Sequence, residues 1–120
     1  MAVAAITAET ATAWLETLPE GELVLLYKHS PRCGVSLVAA EEVESFAREQ
    51  PGLPVFQLDV VRQQPLSQEL ARLLRIDHAS PQVILLRSGE PVWHTSHQRI
   101  RVPNLTEHLE TARRDAQPAA

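Results

Sequence analysis

Five apolar residues in a row, Leu23-Val24-Leu25-Leu26-Tyr27, constrain this chain more than any other feature. Alternate residues of a strand face opposite ways, so an unbroken run needs cover on both sides of a sheet. Glu22 to Lys28 therefore reads as a central strand. The flanking periodicity provides the helices. Ahead of the strand, Ala11, Trp14, Leu15 and Leu18 fall three and four apart. That spacing predicts a helix over Thr7 to Leu18, capped by Thr7 and stopped by Pro19-Glu20-Gly21. Behind the strand, His29-Ser30-Pro31-Arg32 is a turn. From Cys33 or Gly34 a helix runs to about Gln50, with Val35, Val38, Ala39, Val43 and Phe46 as its apolar stripe.

Pro51-Gly52 ends that helix, and Pro54 to Val60 reads as a second strand. Pro65 opens the next helix, with Leu66, Leu70, Leu73 and Leu74 at i, i+4, i+7 and i+8. Strand, helix and strand form a βαβ unit with a right-handed crossover. Gln82 to Arg87 and Pro91 to His97 then read as a hairpin around a three-residue loop, Ser88-Gly89-Glu90. Pro103 begins the last helix, with Leu105, Leu109 and Ala112 inward and Arg113-Arg114 at its negative end. The order α-β-α-β-α-β-β-α is a thioredoxin-like α/β arrangement: a central four-stranded mixed sheet flanked by helices, with one extra N-terminal helix. No repeat, linker or composition break divides the 120 residues. One domain is expected, its core at about 7–114 and loose tails at 1–5 and 115–120.

Charge narrows the partners. Eleven basic against fifteen acidic residues leave a net charge of −4, so phosphates of nucleic acid or of a membrane surface meet a repulsive field. No apolar run approaches the ~20 residues of a membrane span, and Met1 to Thr12 lacks the early Lys or Arg and the apolar core of a secretory signal. The chain has one cysteine, Cys33, so no intramolecular disulfide can form and a cytoplasmic location is expected. A metal site is not expected. His94 and His97 are three apart on a predicted strand and face opposite ways, and His29, His78 and His108 have no helical i, i+4 partner.

Cys33 stands where chemistry gathers in open α/β sheets, past the carboxyl end of a strand and at the start of a helix. Unpaired N–H groups and the helix dipole favour an anion there, and a thiolate is one. Lys28, His29 and Arg32 lie within five residues and would add positive potential. Gly34 permits close backbone approach beside the sulfur. Ser36 occupies the place of a resolving cysteine in a Cys-x-x-Cys pair, so any disulfide of Cys33 must be completed from outside. Ser80-Pro81 precedes an apolar strand, and in a thioredoxin-like layout that turn faces the cysteine loop.

These residues together resemble a known family. Tyr27-Lys28-His29-Ser30, Cys33 with Ser36, Asp59-Val60, His78-Ala79-Ser80-Pro81-Gln82, Val92-Trp93-His94 and Ser96-His97 stand in the order and spacing of the YtxJ-type monothiol bacilliredoxins. The similarity covers about residues 20 to 110. It implies thiol–disulfide exchange on mixed disulfides of a low-molecular-weight thiol, bacillithiol, which acts as co-substrate with no bound cofactor. S-thiolated client proteins are the implied partners. Cys33 matches the family's only reactive cysteine. Gly34, Val35 and Ser36 would stabilise its thiolate through their N–H groups, and Ser80 with Pro81 would shape the substrate groove.

One departure keeps a second reading open. The family typically has proline after the cysteine, whereas Cys33-Gly34-Val35-Ser36 is similar to the Cys-Gly-Phe-Ser motif of monothiol glutaredoxins. That similarity implies an iron–sulfur carrier or sensor, with a [2Fe–2S] cluster shared between two chains and two external thiols. A third reading is a redox-silent binding module, since free cysteine is also a common core residue.

Overall fold

The apolar run of Leu23 to Tyr27 lies in the middle of a sheet, with Val24, Leu25, Leu26 and Tyr27 buried. The computed structural model describes residues 2–31 and 34–116; Arg32 and Cys33 lie outside the described residues. In chain order the elements are β1 (Val3–Ala5), α1 (Ala11–Glu16), β2 (Leu23–His29), α2 (Gly34–Glu49), β3 (Val55–Asp59), α3 (Gln64–Leu74), β4 (Gln82–Arg87), β5 (Glu90–Ser96) and α4 (Val102–Ala116). A 3₁₀ turn, His97–Arg99, joins β5 to α4. The sheet runs β1-β3-β2-β4-β5, with β1 and β2 each parallel to β3, and β4 antiparallel to both β2 and β5.

Strand alternation divides the core in two. Leu25 and Tyr27 of β2, Val55 of β3 and Val83 and Leu85 of β4 pack against Ala39, Val43 and Phe46 of α2 and Leu105 and Leu109 of α4. The intervening residues Leu26, Leu58, Ile84 and Leu86 point the other way, onto Trp14 of α1 and Leu66, Leu70 and Leu74 of α3. One helix pair covers each face, as the double-sided apolar pattern requires.

Three expectations need correction. Val3–Ala5 is no loose tail: it adds a fifth, edge strand, in register Val3↔Val55, Ala4↔Phe56 and Ala5↔Gln57. Three short residues carry too little periodicity to announce a strand; the pairing with β3 makes it one. The first helix starts four residues later than Thr7. Thr10 is its cap, with Oγ1 accepting from Ala13 N at 3.1 Å, because an extended cap residue must precede the first turn and Ile6 is drawn into the sheet through its N–H to Gln57 O at 3.0 Å. The hairpin loop has two residues, since Arg87 pairs with Glu90. Ser88 (φ 52°) and Gly89 (φ 78°) both take positive φ, the turn whose twist matches that of the strands.

Candidate functional site

Three segments converge at the carboxyl end of β2: the first turn of α2, the Ser80-Pro81 turn before β4, and the link from β5 into α4. Gly34 is the first residue of α2, so Cys33 directly precedes the helix in the chain. The N–H groups of a first helical turn have no intrahelical acceptor. Ser36 is fully buried within that turn, and its Oγ finds no hydrogen-bond partner among the described residues. Val35 is half-buried and Gly34 exposed. A Cβ at Gly34 would meet no described atom within 4 Å, so space there does not demand glycine.

The Ser80-Pro81 peptide is cis, with Pro81 buried and Ser80 half-exposed. Pro81 O accepts a hydrogen bond from His97 N at 3.0 Å, which ties the end of β5 to this turn. His97 itself has φ 56°, left-handed backbone for a residue that is not glycine. Its expected place on a strand is therefore corrected: β5 ends at Ser96, and His97 starts the 3₁₀ turn.

The three cations expected around the cysteine part company. Lys28 is fully buried on the α3 side of the sheet, its Nζ donating to Ser67 O at 3.2 Å. Burial lowers its pKa to about 8. Its amine is thus committed to α3, and the expectation that it lends charge to the α2 turn is corrected by strand alternation, which turns residue 28 the same way as Leu26. His29 ends β2 half-buried. Desolvation pushes its pKa down, against the opposing pull of Asp59, its neighbour in the parallel ladder. Arg32 lies outside the described residues.

Tyr27 is the residue whose role the sequence hid. It is fully buried on the α2 side, and its Oη lies 2.9 Å from His29 Nδ1 and 3.3 Å from Ser36 O. A phenol has one proton, so if Tyr27 donates to Ser36 O then His29 Nδ1 carries the proton between them. Asp59 completes this end of the sheet. The Arg62 N–H, followed by that of Val61, holds its carboxyl below the usual range; the bonds to Oδ1 are 3.0 and 2.9 Å. The signal available in advance was parity: Tyr27 is the one polar-tipped side chain in the apolar run, and it stands six residues before Cys33.

A family model, that of the monothiol bacilliredoxin BrxC, matches residues 5–105. The chain belongs to the monothiol bacilliredoxin family. Among solved structures, this bacilliredoxin is similar to a protein described as a candidate oxidoreductase with a thioredoxin fold, at 25% identity and TM-score 0.77 over 88% of this chain and 92% of that one. It shares its fold with a thioredoxin of Fasciola hepatica (24% identity, TM-score 0.67, 92% of this chain and 98% of that). A thioredoxin from Trypanosoma brucei brucei is likewise similar (18%, TM-score 0.73, 94% and 92%). The thioredoxin-like fold expected from the element order holds, with the added edge strand. The bacilliredoxin is a thiol–disulfide oxidoreductase, and no helix among its described residues is long and apolar enough to cross a membrane.

Proposed function

We propose that this protein removes a low-molecular-weight thiol, bacillithiol, from protein mixed disulfides in the cytoplasm, with Cys33 as nucleophile. The observation that carries the reading is positional: α2 begins at Gly34, immediately after the chain's only cysteine, at the carboxyl end of the central strand. The family membership supports it. A thiolate at that position gains from first-turn N–H groups and the helix dipole, so a larger share of the thiol is ionised at neutral pH.

The exchange proceeds in two steps. The Cys33 thiolate attacks the small-thiol sulfur of the client's mixed disulfide, forming a Cys33–small-thiol disulfide and releasing the client thiolate, which takes up a proton. A second small thiol, as thiolate, then attacks the sulfur it shares in kind, regenerating Cys33 and leaving the symmetrical small-thiol disulfide. The net exchange converts one mixed disulfide and one free small thiol into one client thiol and one symmetrical small-thiol disulfide. Ser36 offers a buried hydroxyl in the place of a resolving thiol, so the mixed disulfide waits for an external partner. Ser80 and Pro81 border the groove that holds the client.

Intact mass after exposure to oxidised bacillithiol tests this. One bacillithiol adduct per chain is expected, lost in Cys33→Ser, with the variant's circular dichroism unchanged. Client de-thiolation that persists in Cys33→Ser would overturn the mechanism.

A further inference from the structure

A cleft of about 80 Å³ opens between the first two turns of α2 and the segment that joins β5 to α4. Val35, Val38, Ala39 and Ile100 form its apolar walls, and His97, Gln98 and Arg101 its polar rim. Val35 is two residues after Cys33, so covalent geometry alone keeps their α-carbons within about 7 Å. We infer that this cleft is a carboxylate subsite for the small thiol, in which His97 and Arg101 hold an acidic arm of the molecule while its sulfur meets Cys33. The inference rests on the redox reading above and names the chemistry that the site selects.

Charge is the first argument. The chain has a net charge of −4, yet this lining holds a guanidinium and an imidazole and no carboxylate. Glu42 of α2 is engaged elsewhere: its Oε1 accepts from Val102 N at 3.1 Å and caps α4. Arg101 is exposed, and its Nε donates to Gln98 O at 3.3 Å, which leaves the two terminal amino groups of the guanidinium to pair side by side with a carboxylate.

Backbone conformation is the second. Among the described residues, three other than glycine have positive φ: Arg75, Ser88 and His97. Arg75 closes a helix and Ser88 turns a hairpin, where such angles belong. His97 does neither. It holds a left-handed conformation at the site, where glycine would be relaxed and a side chain is strained. The strained backbone N–H binds Pro81 O, and the imidazole borders the cleft. A small, partly open cleft, rather than a long groove, suits an arm of a small molecule and not a peptide backbone.

The test compares second-order rates of the full-length protein's thiol with two acidic disulfides, oxidised bacillithiol and oxidised glutathione, and with the neutral 2-hydroxyethyl disulfide. The wild type is expected to favour the acidic disulfides. The acidic-to-neutral ratio should fall about fivefold or more in Arg101→Gln and in His97→Gly, and stay at the wild-type value in Arg48→Gln, on the far end of α2. His97→Gly keeps the measurement interpretable, because glycine relaxes φ 56° and the variant should unfold no more easily than the wild type. A fall for oxidised bacillithiol alone would identify its carboxylates as the arm that is read; a fall for both would assign a general carboxylate preference. An unchanged ratio in both variants overturns the subsite while leaving the redox reading intact. A thiol that reacts with none of the three disulfides overturns both.

Discussion

Lys28 shows how one residue can sit beside a redox site and belong to something else. Its ammonium is fully buried and donates to a backbone carbonyl, Ser67 O, and desolvation lowers its pKa from 10.5 to about 8. Folding therefore makes the amine easier to deprotonate. Below pH 8 both folded and unfolded chains carry the charge, and the folded one bears the full desolvation penalty, up to about 3 kcal/mol for such a displacement. Between pH 8 and 10.5 the unfolded chain binds more protons, so the penalty is relieved as pH rises. Lys28→Met should accordingly raise stability at pH 7 by about 1–3 kcal/mol. Urea titrations at pH 7 and pH 9.5 check it: the advantage of the variant should shrink at the higher pH, and an advantage equal at both values would contradict the assignment. At this scale the place of Ser36 in the first turn of α2 and of the Ser80-Pro81 turn before β4 was legible in the residues. The direction of Lys28, the bonds of Tyr27 and the φ of His97 were not, because each depends on which sheet face a helix covers or on a neighbour far away in the chain.

Elements with strong internal signals emerged where their patterns place them. β4 spans Gln82–Arg87 as expected, α2 ends one residue before the expected Gln50, and α3 covers Pro65 and the leucine stripe that announced it. α3 shows why boundaries follow from local chemistry. Leu66, Leu70 and Leu74 form its buried stripe, and the helix closes at Arg75 with φ 57°, its N–H and that of Ile76 returning to Arg72 O and Ala71 O at 3.4 and 3.1 Å. Glycine usually takes that position because it has no Cβ to clash. Arg75→Gly should therefore stabilise the protein, by about 0.5–1 kcal/mol after allowing for the looser unfolded chain. A thermal melt that shifts downward would show that the arginine side chain contributes more than its backbone strain removes. The elements that were misjudged, β1 and the start of α1, are short. Their limits are set by partners: Ile6 is held by Gln57 O and by Gln63 Nε2, which donates to Ile6 O at 3.1 Å.

For the molecule as a whole, the sheet is the unit that makes the site, since it fixes β2 between a parallel neighbour and an antiparallel one and so brings the α2 turn, Pro81 and His97 to one end. β1 matters on this scale although it lies at the far edge. It covers the free side of β3, and Ala2 and Val3 pack against the α2/α4 core. Without it, β3 would present unpaired N–H and C=O groups along an edge carrying Val55 and Phe56, a template for another chain's strand. Removing residues 2–5 should then have two coupled effects. Stability should fall by about 2 kcal/mol, from the lost ladder bonds and the uncovered apolar surface. The shortened chain should also self-associate as concentration rises, with edges pairing between copies. Urea denaturation and sedimentation velocity on the same samples separate these effects. A shortened chain that keeps both its denaturation midpoint and a concentration-independent sedimentation coefficient would mean that β3 tolerates an open edge. The rate of Cys33 with 2-hydroxyethyl disulfide should change little in that variant, because β1 pairs with one side of β3 while β2, which leads into α2, pairs with the other.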